Sequence, residues 1–369
     1  MKKALYGLKQ ASRAWNKTFT SFLTQLNFKQ LQTDNCIFIN NSLIIAIYVD
    51  DTLIIGSDEN KIQEFVYFLN SKFKTKDLGP LVCILGLQIE YLNNDTVRIH
   101  QKNYIERIIK TFKLQDTKNT DIPLQPNQKL TKELLTEDDL LRSRIDSEKY
   151  RTAIGSLIYL MVSTRPDISY TVSVLSRFMQ EPRELHWRCV KRLLRYIKTT
   201  KDFCLIYSKK KVSKYELVGY SDADYAGSID DRKSTSGYVF KLNNCIITWN
   251  SAKQKTVSLS STEAEYIALT TAIKEALWLN QLLKELNRGL TEIKMMCDNK
   301  STICLSKNPE FHSRSKHIDI KYHFIKEKIS DKTINIEYIS TDDMIADIFT
   351  KAVSRIKHYK ALEQLTMKN

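Results

Sequence analysis

The sequence predicts an α/β (α+β) protein of more than one domain, and three observations carry the prediction. Beyond residue 215, short apolar runs ending in acids alternate with helix-like stretches. The middle of the chain places apolar residues at helical spacing. Near residue 50, two apolar strands flank a pair of aspartates. A chain of 369 residues leads one to expect about two or three domains. Hydrophobic residues make up 42%, enough for real cores, and 9 Gly and 6 Pro argue against long disordered tracts.

The elements follow from periodicity. Residues 4–28 place Leu5, Leu8, Ala11, Trp15, Phe19, Phe22, Leu23 and Leu26 on one helical face. Residues 36–55 read as a β-hairpin turning at Asp50-Asp51, where an Asp pair is ordinary turn chemistry. A helix is expected over Glu59 to Phe73, a strand over Val82 to Tyr91 and a helix over Asn103 to Phe112. Residues 115–148, with Pro123 and Pro126, read as a connector. Helices are expected over Tyr150 to Val162, Ile168 to Met179 and Leu185 to Lys198, the first two separated by Thr164-Arg165-Pro166-Asp167. The basic stretch Ser208 to Lys214 reads as a linker. Strands are then expected over Leu217 to Asp222, in a hairpin over Gly237 to Asn250 turning at Asn243-Asn244, and over Ile293 to Cys297 and Ile334 to Ile339. Helices cover Thr262 to Leu286, a short piece after Asp298, Asp319 to Ile329, and Asp342 to Val353. Three strands followed by alternating helix and strand make a mixed sheet flanked by helices.

Composition narrows the chemistry. The seven cysteines are scattered and never form a C-x-x-C pair, which reads as reduced thiols with neither a zinc site nor a disulfide framework. A net charge of +15 suits a polyanionic partner, although a lysine-rich surface would look the same. The start carries no apolar run of the signal-peptide kind, and the longest such run, Leu43 to Val49, is far short of the roughly 20 residues a membrane span needs.

Four acids stand in unusual places. Asp222 and Asp298 each close an apolar strand, where sites form in open α/β sheets. Glu265 begins the stripe Glu265, Leu269, Ala272, Ala276, Leu279 and Leu283, so it points toward the sheet, whereas Glu263 steps onto Ile267, Thr270 and Lys274, a more exposed face. Taken singly, Thr262-x-x-Glu265 is also a capping box, Asp298 also a cap, and Asp347 also a solvated helix residue. As a set, three or four carboxylates from separate elements suit two Mg²⁺ ions about 3.5–4 Å apart, which activate water and stabilise a leaving oxygen in phosphodiester hydrolysis.

The segments Gly219-Tyr220-Ser221-Asp222-Ala223-Asp224-Tyr225-Ala226-Gly227, Arg232-Lys233-Ser234-Thr235-Ser236-Gly237-Tyr238, Ser258-Leu259-Ser260-Ser261-Thr262-Glu263-Ala264-Glu265-Tyr266 and His317-Ile318-Asp319 resemble the ribonuclease H domain of copia-type LTR retrotransposon Pol polyproteins. The resemblance implies hydrolysis of the RNA strand of RNA–DNA hybrids. It implies that Asp222, Glu265, Asp298 and Asp347 bind two Mg²⁺ ions, with Mn²⁺ as a substitute and Asp224 and Glu263 as the nearest rivals. His317 is a weaker catalytic candidate. Lys253, Lys255, Arg314 and Lys316 are candidates for phosphate contacts, and Ser234, Thr235 and Ser236 for backbone oxygens or the 2′-hydroxyl.

Upstream, Tyr48-Val49-Asp50-Asp51 resembles the signature hairpin of reverse transcriptases. The run Lys3-Ala4-Leu5-Tyr6-Gly7-Leu8-Lys9-Gln10-Ala11-Ser12-Arg13-Ala14-Trp15 resembles the copia helix that packs under the incoming nucleotide, with Ser12 where the family usually has Pro. Asp77-Leu78-Gly79-Pro80, Leu85-Gly86-Leu87-Gln88-Ile89, Thr164-Arg165-Pro166-Asp167-Ile168 and His186-Trp187 extend the resemblance over nearly the whole chain. Asp50 and Asp51 are then metal ligands of a polymerase remnant that binds template-primer. Nucleotidyl transfer needs a third carboxylate upstream of residue 4, so the expectation is a truncated reverse transcriptase with only its nuclease site complete. The alternative is a non-catalytic relic that binds nucleic acid.

The expected architecture is therefore an incomplete reverse-transcriptase palm and thumb/connection, followed by a ribonuclease H-like mixed five-stranded sheet with flanking helices. Its divisions are a partial reverse transcriptase over 1–114, a mostly helical thumb/connection over 115–207, a linker over 208–214, a ribonuclease H domain over 215–353 and a C-terminal tail over 354–369. The setting implied is intracellular and cytoplasmic, within a virus-like particle for an active element, with no membrane partner.

Overall fold

A computed structural model describes residues 7–93, 95–128, 130–132, 145–209, 215–290, 292–307 and 319–368. The chain divides into two compact units, Met1–Ile84 with Leu277–Gly289, and Leu85–Ala276 with Leu290–Asn369.

In the first unit, helix α1 (Ala11–Gln25) and helix α2 (Glu59–Lys72) accompany a four-stranded antiparallel meander, β1 (Lys29–Gln30), β2 (Ile37–Ile39), β3 (Leu43–Tyr48) and β4 (Asp51–Gly56). Phe19, Phe22 and Leu23 of α1 meet Phe38 and Ile45 of the sheet and Phe65 and Leu69 of α2 in one core. Two expectations shift here. The helix expected from residue 4 opens only at Ala11, because Gly7 takes a left-handed φ of +88° that ends any regular run; residues 4–6 lie outside the described residues. The hairpin expected over 36–55 is three strands, because Asn40 Oδ1 accepts from the Ser42 and Leu43 amides and turns the chain early.

The two-residue strand β5 (Cys83–Ile84) precedes β6 (Leu87–Asn93) and β7 (Thr96–His100). Strand β7 pairs antiparallel with both β6 and β8 (Cys204–Ser208), and β8 pairs with β14 (Met367–Lys368). Neither β7 nor β8 was expected as a strand; β7 forms a hairpin with β6, whereas the partners of β8 lie about a hundred or more residues away. Helices α3 (Lys102–Thr111), α4 (Ser147–Ser163), α5 (Ser169–Ser176) and α6 (Glu184–Thr199) share a core. In α4 the buried residues Tyr150, Ala153, Ile154, Leu157 and Leu160 form a single stripe, and Asp146 caps it by accepting from the Glu148 and Lys149 amides.

The expected mixed sheet is present. Its order is β11-β10-β9-β12-β13, with β9 (Leu217–Asp224), β10 (Thr235–Leu242) and β11 (Cys245–Lys253) antiparallel and β12 (Ile293–Cys297) parallel to both β9 and β13 (Ile334–Tyr338). The β10–β11 turn falls at Asn243-Asn244, both with positive φ, 49° and 70°, as a primed hairpin turn requires. Helix α7 (Ser261–Glu285) buries Ala264, Ala268, Leu269, Ala272 and Ala276 in this unit, and α8 (Lys300–Lys307) and α9 (Asp319–Ser330) follow.

The C-terminal part differs most from expectation. The helix expected over Asp342 to Val353 is a short 3₁₀ turn, Ile345–Phe349, wholly buried. Residues 354–369, expected as a tail, carry helix α10 (Arg355–Gln364) and β14. Ala361, Leu362, Leu365 and Met367 pack with Leu205, Val239 and Phe349 in one core. Helix α10 is short and its apolar positions acquire meaning only through partners far away in the chain, which is why periodicity missed it.

Candidate metal centre

Two parallel strands set the first pair of acids. Register pairs Met296 with Tyr220, so Asp298 and Asp222, each two residues further on, lie side by side at the strand ends on one face. Strand β9 runs two residues past Asp222, to Asp224. Glu265 comes from the first turns of α7, and its Oε1 accepts from the Ala223 amide at 3.1 Å. Ligand atoms of Asp222, Glu265 and Asp298 all lie within 4.8 Å of one another.

Glu265 is spared for this position because the cap falls elsewhere. Ser260 Oγ accepts from the Glu263 amide, and Glu263 Oε2 accepts from the Leu259 amide at 2.7 Å. The rival Glu263 therefore closes the helix start, buried with Ile267 and Thr270 instead of on the exposed face expected for it, and the Thr262–Glu265 capping box is not formed. Glu265 is only 6% exposed, and its Oε2 has no hydrogen-bond partner. A buried carboxylate oxygen left in that state is costly unless a proton or a cation meets it.

The electrostatics agree. Burial, then Asp222 and Asp298, push the Glu265 carboxyl up to about 10. Burial pushes Asp222 up to about 7, with Lys351 opposing and Asp347 adding to the rise. Crowded carboxyls that resist ionisation are what a hard divalent cation relieves, and an all-oxygen donor set suits Mg²⁺ or Mn²⁺. The residues present thus fit such an ion. Thr350 Oγ1 donates to Asp222 Oδ2, and Thr341 Oγ1 donates to Asp298 Oδ2 at 2.7 Å, so both strand-end acids are held in orientation.

Asp347 stands apart from these three. It is fully buried on the 3₁₀ turn beside Asp222, not on an α-helix, and ammonium groups face both of its oxygens. Lys351 Nζ lies 2.8 Å from Oδ1, and Lys357 Nζ pairs with Oδ2. Burial would raise the Asp347 carboxyl, but Lys351 and Lys357 outweigh it and hold it below the usual range. Lys351 Nζ also lies 3.7 Å from Asp222 Oδ2. Neither lysine was singled out in the sequence, although Lys351 sits four residues after Asp347, an ion-pair spacing.

Other candidates disperse. Ser234 and Thr235 are buried; Ser234 Oγ accepts from the Ala226 amide, and Ser236 Oγ accepts from Gln254 Nε2. Ser234 and Thr235 are thus turned into the fold in this structure. Lys253 Nζ pairs with Asp231 at 2.7 Å, and Lys255 is exposed. His317, Arg314 and Lys316 lie outside the described residues. In the first unit, Asp50 and Asp51 are exposed at the β3–β4 turn, and no metal-holding group among the described residues includes them. Val49, in that turn, has a φ of +58°, unusual for a β-branched residue, and its carbonyl accepts from Trp15 Nε1 of α1.

Sequence reasoning missed a second buried cluster. Arg165 donates from Nε to Asp167 Oδ1 at 2.9 Å and from Nη2 to Oδ2 at 2.7 Å; Tyr196 OH donates to Asp167 Oδ2 and contacts His358 Nε2 at 2.9 Å. All four side chains are buried. The Thr164–Asp167 segment separates two helices as expected and, through Tyr196, also meets His358 of α10, next to Lys357 of the centre.

A mixed five-stranded sheet carrying carboxylates at the ends of its parallel pair defines this part of the chain as ribonuclease H-like. Residues 1–126 match the family described as reverse transcriptase (RNA-dependent DNA polymerase). Over 97% of its length the chain is 41% identical to the Pol polyprotein of transposon TNT 1-94 from Nicotiana tabacum, covering 27% of that protein. It is 38% identical to the Pol polyprotein of transposon RE1 from Arabidopsis thaliana over 96% of the chain and 24% of the relative. A putative transposon Ty5-1 protein of Saccharomyces cerevisiae is 33% identical over 73% of the chain and 87% of its own length. The chain belongs to the copia-type retrotransposon Pol polyproteins, and it spans about a quarter of the length of the TNT 1-94 and RE1 relatives.

Proposed function

We propose that this chain is a ribonuclease H that hydrolyses the RNA strand of RNA–DNA hybrids, with divalent ions held by Asp222, Glu265, Asp298 and Asp347. The observation that carries the reading is the trio of buried Asp222, buried Glu265 and half-buried Asp298, with ligand atoms within 4.8 Å and one glutamate oxygen unpartnered. When bound, Mg²⁺ or Mn²⁺ would lower the pKa of an attacking water and stabilise the leaving oxygen. The chain's own part is orientation. Thr350 and Thr341 fix Asp222 and Asp298, and the Ala223 amide fixes Glu265. The ribonuclease H domain is assigned to 215–353 together with the α10–β14 segment that packs against it.

The test incubates the chain with labelled RNA–DNA hybrid and Mg²⁺ beside an Asp222→Asn variant. Cleavage by the parent and none by the variant is the expected result. A folded parent that cuts nothing would instead make the chain a nucleic-acid-binding relic, and equal cleavage by both would assign the activity to a contaminant.

A further inference from the structure

We propose that the Lys351 ammonium occupies the second cation position of this centre, between Asp222 and Asp347. The chain alone then holds one divalent ion, at Asp222, Glu265 and Asp298, and admits a second only by displacing Lys351. This rests on the reading of the acid cluster as a metal centre and adds to it an order of loading.

The argument is geometric. Asp222 belongs to both halves of the site: a ligand atom of its carboxylate lies within 4.8 Å of ligand atoms of Glu265 and Asp298, and its Oδ2 faces Lys351 Nζ at 3.7 Å. Lys351 Nζ lies 2.8 Å from Asp347 Oδ1, so one ammonium sits between the two aspartates, paired with Asp347 and facing Asp222. Lys357 Nζ closes the other oxygen of Asp347. The opposite half differs. No ion pair among the described residues reaches Glu265 or Asp298, whose neighbours are one amide and one hydroxyl.

Lys351 is also placed to leave. Asp347 is fully buried and fixed on its turn, whereas the Lys351 side chain is 39% exposed and can swing toward solvent. Lysine is a point charge on a flexible stem with no directional fork, so its hold on the aspartates is exchangeable. A released ammonium at this rim is available to a phosphate oxygen of the nucleic acid, so entry of substrate and of the second ion would favour each other.

The test titrates the full chain with Mn²⁺ in the absence of nucleic acid, counting bound ions by electron paramagnetic resonance and calorimetry. The parent should bind one ion well and a second much more weakly. Lys351→Met should tighten the second ion by at least about tenfold, the lower end of what one neighbouring charge does to a carboxylate site, and tighten the first, which meets Lys351 through Asp222 alone, by less. Lys351→Arg, which keeps the charge, should leave the second ion weak, and circular dichroism confirms that each variant is folded. A parent that binds no Mn²⁺ overturns the metal-centre reading itself. A parent that binds one ion, with a folded Lys351→Met whose second site is unchanged, overturns this inference alone, as does a parent that binds two ions equally well.

Discussion

Gly237 lies directly across the β9–β10 ladder from Asp222, with Phe349 and Thr350 where its side chain would be. A Cβ there would come within 2.6 Å of Phe349 Cβ and 2.8 Å of Thr350 Cγ2. The missing side chain lets the turn carrying Asp347 lie against the strand opposite Asp222, and lets Thr350 reach that carboxylate. Gly237→Ala should therefore cost about 1–3 kcal/mol, the usual range for overpacking, and weaken Mn²⁺ binding as the turn is pushed outward. Chemical denaturation beside a Mn²⁺ titration checks both, and an unchanged stability would show that the turn yields freely.

Glu265 and Glu263 are two residues apart and do different things. Glu265→Gln should abolish hybrid cleavage and sharply weaken Mn²⁺ binding without unfolding the ion-free chain, because a neutral amide suits a buried, crowded position better than a carboxylate. Glu263→Gln should keep cleavage and lose at most about 1 kcal/mol with its cap. Cleavage assays and thermal melts on the two variants decide it; equal activity loss in both would contradict the assignment.

The carboxyl shifts set a pH dependence. Asp222 stands at about 7 and Glu265 at about 10 in the folded chain, against ordinary values of 3.8 and 4.5. Between those limits the folded state holds more protons than the unfolded chain, so these groups lend stability below the ordinary values and lose it as pH rises through the folded ones. With a chelator present, the melting temperature should fall as pH rises across that window. Excess Mg²⁺ should raise it most at the alkaline end, and Glu265→Gln should flatten the trend. A melting temperature in chelator that does not depend on Glu265 at any pH would refute the shift.

The Arg165–Asp167 pair is a fully buried ion pair with two further partners, Tyr196 and His358. Burial lowers the His358 ring to about 4, so it enters the network neutral. Asp167→Ala leaves the guanidinium uncompensated and should cost about 3–5 kcal/mol in urea unfolding. Ending the chain after Val353 should be worse, since it removes His358 along with Ala361, Leu362, Leu365 and Met367 from the core. A soluble, cooperatively melting 215–353 fragment would show that α10 is dispensable.

Asp50 and Asp51 are exposed at a turn and joined by no third acid among the described residues. A two-metal polymerase site needs a ligand shared by both ions. Primer extension on a poly(rA) template should give no product with this chain alone, and robust synthesis would show that the site is complete.

Local signals carried much of the architecture. The alternating pattern of β9 to β13, the Asn243-Asn244 turn and the apolar stripe of α7 were legible because strand and helix periodicities are properties of neighbouring residues. So was the inward aim of Glu265, which follows from its place at the head of that stripe. Tertiary structure decided the rest. It moved the cap to Ser260 and Glu263, placed Asp347 on a 3₁₀ turn instead of a helix, and made a core helix of the supposed tail. It also put Lys351 and Lys357 on Asp347. The core helix depends on contacts between residues distant in the chain, and the cap and the Lys351 pair on which of several local partners the fold brings into reach; no periodicity records which side chain will meet which.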